Sequence, residues 1–376
     1  MKVEQFYYSP NSGWDQIMPQ ADAACDLVLA FGTLEDYQVE AIRNQIKSSF
    51  PNAQIIGCTT AGIIQNDRVV EQQLTITAIS FTKTKIETAF KILTDGSDSY
   101  QTGIELAKEL PHDNLSHLFL ISEGLSINGS QLLKGIAESL PSGIKVTGGL
   151  AGDGIDFENT QVWLNDEFTE KLVAAVGFYG TDLKVNFGSV GGSHPFGPER
   201  EVTDSEANIL KELDGEPALS LYKKYLGDEF IQGLPASAQL FPLFVMDDAA
   251  DGNYVRSILA VDHDTGYMTF AGDIPKGTTV RLMKSSIEGL IEGAEDAAVA
   301  SQQDGNSRLA ILVSCVGRKM VMDQRVEEEI EAVKKALGED CLLAGFYSYG
   351  EICPHGNNHE MALHNLTMTV TSLYEV

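Results

Sequence analysis

The chain has 376 residues, with 54 acidic side chains against 26 basic ones and a formal net charge of −28. So acidic a surface repels nucleic acid and anionic membrane and excludes both as general partners. An apolar fraction of 43% marks a globular protein. The length exceeds one ordinary core, so two domains or two fused halves are expected.

The N-terminal MKVEQFYYSP lacks the apolar centre of a signal peptide, and runs such as "LAILVSCV" (309–316) are too short to cross a bilayer. No membrane insertion is expected. The five cysteines, Cys25, Cys58, Cys315, Cys341 and Cys353, form no C-x-x-C pair and are odd in number. That argues against a disulfide framework and for a reducing, cytoplasmic setting.

In chain order, "CDLVLAFG" (25–32) reads as a buried strand. A helix over 35–50 follows, with Val39, Ile42, Ile46 and Phe50 at helical spacing and Pro51 as its stop. "AQIIG" (53–57) is a second strand. It runs into the turn "GCTTAG" (57–62), and "LTITAISF" (74–81) comes next. The order then repeats: strand "SHLFLIS" (116–122), helix 128–140, turn "GLAGDG" (149–154), strand "LVAAVGFYG" (172–180). A shift of 97 residues lays Ala78 on Ala175, Phe81 on Phe178 and Phe90 on Phe187, so the repeat is internal. The polar stretch around 200–235 is the expected domain boundary. Between 240 and 284 the pattern is a β-meander, with Asp262–Gly266 joining two of its strands. A helix over 285–303 leads to a third copy: strand "RLAILVSC" (308–315), helix 323–337, strand "CLLAG" (341–345), turn "GFYSYG" (345–350) and final strand 366–376. The expected fold is mixed α/β: two fused halves, 1–215 and 216–376, built from repeated β-α-β-β units with mixed, largely parallel sheets.

Each Gly-x4-Gly turn follows the carboxyl end of a buried strand, where open α/β sheets place ligands. Ile63, Ile155 and Glu351 stand where a phosphate-binding loop needs lysine, so no turn is a phosphate cradle. Gly57, Cys58, Thr59, Thr60 and Gly62 of the first turn offer hydroxyls and a thiol. Gly149 and Gly154 bound the second. Tyr347, Ser348, Gly350 and Glu351 give the third its aromatic walls and polar tips, a mixture suited to a small-molecule pocket.

The segments "IIGCTTAGII" (55–64), "TGGLAGDG" (147–154), "SCVGRKMVMDQRVEEEI" (314–330) and "GFYSYGEICP…LHNLTMTV" (345–370) together resemble the FIST proteins, which pair an N-terminal and a C-terminal FIST domain. The resemblance implies a bacterial cytosolic sensor of small ligands that works with a separate signalling protein. It extends to a stand-alone branch, the NosP type, that binds haem, senses nitric oxide and controls a histidine kinase. A homodimer is among the assemblies it allows.

Haem iron wants an imidazole or thiolate facing an apolar cleft. His364, in the "LHN" motif with Asn365, is expected to begin the last strand and to share its apolar face with Leu366, Met368 and Val370. It reads as an axial ligand to haem b or as a core histidine bonded to backbone. His355, His359, His194 and Cys353 are the other ligand candidates. Arg318, just past the strand 308–315, would meet a ligand carboxylate or a protein one. Two further readings stay open: a metal-free sensor of an amino acid or other small carboxylate, and an enzyme built on Cys58, Cys353 or Glu351. No G-x-S-x-G elbow is present, and neither Ser122 nor Cys58 has a histidine nearby in sequence, so nothing argues for catalysis.

Overall fold

A computed structural model describes residues 1–33, 40–94, 98–228, 231, 233–234, 237, 240–247, 253–302, 307–356 and 359–376. The start of the expected first helix, 35–39, lies outside the described residues; the helix runs Glu40–Ser49. The mixed α/β class holds, and the repeat is real. Three units each supply a parallel strand pair around a helix: Leu27–Gly32 with Gln54–Thr59, Leu115–Ser122 with Lys145–Leu150, and Leu309–Cys315 with Leu342–Ser348. Every other pairing among the described strands is antiparallel, so parallel pairing is narrower than expected.

Central strands such as Leu27–Gly32 and Leu309–Cys315 are buried at every residue, because both faces are covered. One face of each sheet looks into a shared centre. Leu29 and Phe31, Phe119 and Ile121, and Ile311 and Val313 belong to one apolar cluster there. The opposite faces lie under helices. Val28 and Ala30 pack with Ile42 and Ile46. Leu118 and Leu120 pack with Leu132 and Ile136, and Ala310 and Leu312 with Ile330 and Val333. Each such side chain contributes about 1.5–3 kcal/mol on leaving water.

The units also exchange hairpins in a ring. The hairpin of unit one, Ile63–Gln65 with Arg68–Val70, extends the sheet of unit three by pairing with Leu342–Ser348. That of unit two, Val162–Leu164 with Glu167–Thr169, pairs with Gln54–Thr59 of unit one. That of unit three, Gly350–His355 with Glu360–His364, pairs with Lys145–Leu150 of unit two.

Within the stretch expected to hold the domain boundary, the described residues 200–226 form regular elements. Strands Ser193–Glu206 and Ile209–Leu213 and helix Ala218–Leu226 build a fourth sheet with the expected meander strands, over a core of its own that includes Val202, Tyr222 and Phe270. The Asp262–Gly266 turn joins Ile258–Val261 to Met268–Phe270 as the sequence implied. Helix Ile287–Ser301, capped by Ser286 on the Gly289 amide, returns the chain to unit three. The helix expected over 323–337 divides into a 3₁₀ turn, Asp323–Arg325, and an α-helix, Glu327–Leu337.

Candidate functional site at the joined turns

The hairpin exchange brings the three glycine turns together. The Ala61 amide donates to the Tyr347 carbonyl (2.9 Å) and the Tyr347 amide to the Gly62 carbonyl (2.8 Å). The Gly152 amide donates to the Thr59 carbonyl (3.0 Å), and the Tyr349 amide to the Leu150 carbonyl (3.2 Å). Each turn is therefore bonded to another unit's turn, and the hub itself is closed. Gly62 sits at φ +149°, and a Cβ there would lie 3.1 Å from the Tyr347 ring and 3.2 Å from Lys319 Nζ. Only glycine lets these groups approach so closely.

Beside the hub lies a cavity of about 530 Å³. Unit one supplies Thr60, Ala61, Gly62 and Glu71 to its wall, unit two supplies Asp153–Asp156, Glu158 and Asn159, and unit three supplies Lys319. Lys319 Nζ donates to the Ala61 carbonyl (2.8 Å) and to Glu71. Asp153 accepts from the amides of Phe157 (3.0 Å), Glu158 (2.8 Å) and Asn159 (2.6 Å) and from Tyr349 Oη. The Phe157 ring stacks on Tyr349 at 4.3 Å. The loop 153–159 is thus pinned, leaving Asp156 and Glu158 exposed at the rim.

Of the turn residues singled out from sequence, Thr60, Gly62 and Gly154 line this cavity. Gly57, Cys58 and Thr59 are buried in the strand Gln54–Thr59, and Gly149 in Lys145–Leu150. Gly350 opens the exchanged hairpin of unit three and is also buried. Burial raises the thiol pKa of both Cys58 and Cys353, which disfavours the thiolate a nucleophile or ligand needs.

Arg318 does not meet the cavity. Its guanidinium is fully buried, with Nε 2.9 Å and Nη2 2.7 Å from Glu329 Oε2, and it also donates to the Leu290 carbonyl (2.6 Å) and to that of Gly191. Tyr347 Oη (2.6 Å) and Ser314 Oγ (3.0 Å) donate to Glu329 Oε1. The carboxylate that Arg318 holds is the protein's own, and Tyr347 faces this network rather than a ligand. Glu329 escaped the sequence reading because it looks like one more acid in a helix's acidic first turn. Glu71, Asp156 and Glu158 escaped it because they stand outside the turns, whereas Asp153 was visible inside the second.

Glu351 is buried, and its burial raises the carboxyl pKa to about 8. Oε2 accepts from the Thr367 amide (3.2 Å) and hydroxyl (3.0 Å). Ser348 Oγ lies 2.7 Å from Oε1 and 3.3 Å from the Ser314 carbonyl. Ser348 has one proton; directed at the carbonyl, it leaves the carboxyl's own proton to bridge Glu351 and Ser348. A neutral carboxyl satisfies every contact here.

His364 does not begin the last strand. It ends Glu360–His364, and the chain bends at Asn365–Leu366, with Leu366 at φ 56°, before Met368–Glu375. The ring is buried as expected, but Nε2 lies 3.0 Å from the Cys353 carbonyl. Burial first, then His355, lowers its pKa to about 3. It is a core histidine bonded to backbone. Both side-chain polar atoms of Asn365 are buried without a hydrogen-bond partner.

These residues do not fit haem. His364 has its Nε2 engaged, Cys353 is sealed in a strand, and His194 is exposed on the fourth sheet. His359 stands at φ 52° with its ring against Phe187. His355 lines a different cavity, whose apolar wall is interrupted by Lys134, Asp247, Arg256, Asp273 and Glu360.

The uncharacterized protein MJ1623 of Methanocaldococcus jannaschii is 24% identical over 383 residues, covering 90% of this chain and 71% of that protein. A solved cyanuric acid hydrolase aligns over 100% of this chain and 99% of its own at 9% identity, with a TM-score of 0.31, too low to establish a shared fold. The FIST N domain matches residues 26–216 and the FIST C domain residues 218–354. The chain belongs to the FIST family, whose domains are associated with sensory signal transduction and small-ligand binding.

Proposed function

We propose that this protein is a small-ligand sensor whose ligand occupies the cavity beside the joined turns and carries an amine. One observation carries the reading: all three units contribute to the wall of that cavity, next to the hub where their turns are bonded. A ligand there touches every unit at once, so its binding energy can favour one arrangement of the units over another. The wall sets Lys319 against Glu71, Asp153, Asp156 and Glu158, which favours an ammonium group over a bare anion. A separate signalling protein reads the change; a histidine kinase is the partner class that the family resemblance brings to this proposal. Haem with nitric oxide, the narrower ligand that resemblance implies, is weighed as an outcome of the same test, because among the described residues no histidine or cysteine lines this cavity.

The test is a thermal-shift and calorimetric screen of small amines, with haem as a separate arm. A ligand present at 100 times its Kd adds about 2.7 kcal/mol to stability. The expected result is an amine that raises Tm in the native protein and loses most of that effect in Asp156→Ala/Glu158→Ala, where the exposed rim acids are removed without touching the core. A Soret band on adding haem, or no amine response at all, overturns the proposal.

A further inference from the structure

A second cavity, of about 490 Å³, lies where the fourth sheet meets unit two and its borrowed hairpin. Arg256, at the end of the strand Tyr254–Arg256, reaches across this seam and is only 4% exposed. Its Nη1 donates to the Leu363 carbonyl (2.8 Å) on the hairpin and to the Val255 carbonyl (3.2 Å) on its own sheet. Nε donates to the Asp273 carbonyl (3.3 Å), and Nη2 reaches Ser130 Oγ at 3.4 Å on the helix Gly129–Ser139. The Tyr254 ring lies 4.1 Å from the guanidinium carbon. Gly272 lets the backbone approach the group: a Cβ there would stand 2.8 Å from Nε. The pocket around this cation is therefore built.

What it lacks, among the described residues, is an ion-pair partner of opposite charge. Among the described residues no carboxylate lies within 4.0 Å of Arg256. Arg318, the other deeply buried arginine, is held by Glu329 on two sides. A buried guanidinium bonded only to carbonyls and a hydroxyl, with Asp273 acting on it only at a distance, keeps most of its charge uncompensated, which is costly. Burial accordingly lowers its pKa to about 10. Asp273 is close but oriented elsewhere, accepting from Asn128 Nδ2 (2.8 Å) and from Gln131 Nε2.

We infer that this cavity is a second ligand site, separate from the one at the turns, and that it takes a small zwitterion of the α-amino-acid class. The carboxylate sits against Arg256 and Ser130, with Lys134 at the opening, and the ammonium faces Asp273 and Glu360. A simple anion would meet the carboxylates of Asp247, Asp273 and Glu360, and a simple cation would meet Arg256 at the back. Only a ligand carrying both charges matches both walls. Because Arg256 already joins the fourth sheet to the hairpin, a bound carboxylate neutralises the joint and tightens the seam.

The experiment is calorimetry on the full chain with the standard amino acids, each also as its amide, which lacks the carboxylate, and as its N-acetyl derivative, which lacks the ammonium. At least one amino acid is expected to bind, with both derivatives weaker by roughly tenfold or more. Arg256→Lys keeps the charge but loses the fork, and Ser130→Ala is a mild second variant; each is expected to weaken binding several-fold while circular dichroism stays native. Lys319→Ala, in the other cavity, is expected to leave it unchanged. Failure of every amino acid to bind at millimolar concentration overturns the inference. So does binding that survives both Arg256→Lys and Ser130→Ala but disappears in Lys319→Ala; that result would put the amino acid in the turn cavity and leave the sensor proposal standing.

Discussion

Arg318 and Glu329 show what a buried ion pair requires. Both are sealed from solvent, and their remaining donors and acceptors are met by Tyr347, Ser314 and main-chain carbonyls. Breaking one side leaves an unpaired charge, so Arg318→Met is expected to cost about 3–5 kcal/mol in urea unfolding. Tyr347→Phe, which removes one bond to the carboxylate, should cost about 1.5–3 kcal/mol. A ligand role for Arg318 would instead give a stable protein that no longer binds. Glu351 makes a second prediction. Its folded pKa of about 8 stands above its ordinary 4.5, so between those values the folded chain holds a proton that the unfolded chain has released. Its contribution is complete below about pH 4.5 and is lost as pH rises through 8, by at most about 1.4 kcal/mol per pH unit. His364, lowered to about 3, runs the other way, contributing above 6.5 and losing that contribution as pH falls. The two separate in a comparison of stability against pH: Glu351→Gln is expected to flatten the decline between pH 5 and 8, and an unchanged slope would assign the decline elsewhere. Sequence showed that Arg318, Glu351 and His364 were unusual, because a charge or imidazole beside buried strands must be accommodated. It could not show by what, since Glu329 and the Cys353 carbonyl become neighbours only through tertiary packing.

The strands and helices that build the three sheets were legible because their patterns are strong: fully apolar central strands, and helices with a stripe of Ile and Leu. The hairpins were not, although the first two share a signal. "IIQNDRVV" (63–70) and "VWLNDEFT" (162–169) each place Asn-Asp between two short strands. Asn66 and Asn165 both take positive φ, 52° and 53°, which asparagine tolerates better than most residues. What no local pattern reveals is that each hairpin leaves its own unit, because the pairing partner is chosen by the geometry of the hub. The two asparagines are not equivalent. Asn165 also accepts from the Ile55 amide (2.9 Å) and donates to Gln54 Oε1 (2.8 Å), fastening the hairpin to the sheet that receives it. Asn165→Ala is therefore expected to destabilise by about 2–4 kcal/mol, combining the left-handed backbone cost with an unpaired buried amide. Asn66 Oδ1 accepts only a long bond from Lys334 Nζ (3.3 Å), an ammonium that also donates to the Glu339 and Cys341 carbonyls, so Asn66→Gly should cost no more than about 1 kcal/mol. Equal losses in chemical denaturation would show that the fastening bonds contribute nothing.

At the scale of the molecule, the ring of exchanged hairpins decides how the chain can be divided. A boundary near residue 215 follows the change from FIST N to FIST C, but it cuts across three sheets, including the fourth, where Ser193–Glu206 and Ile209–Leu213 pair with strands of the second portion. The hairpin Ile63–Val70 and the strand Leu183–Val190, both from the first portion, flank the sheet made by Leu309–Cys315, Leu342–Ser348 and Met368–Glu375 of the second. The second portion in turn lends the strands Gly350–His355 and Glu360–His364 to the sheet of unit two. Separated halves would each expose unpaired strand edges and half of the shared apolar centre, which promotes association. Fragments 1–215 and 216–376 produced apart are thus expected to aggregate or to show weak protection in hydrogen exchange. Produced together they should form a 1:1 complex that restores slow exchange at Leu309–Cys315. Two fragments that each remain monomeric and cooperatively folded would contradict the exchange. The same interlocking explains how a ligand in either cavity can be felt at a distance. The turn cavity is walled by all three units and the Arg256 cavity by the fourth sheet and a borrowed hairpin, so in neither place can an occupant contact one unit without loading its neighbours.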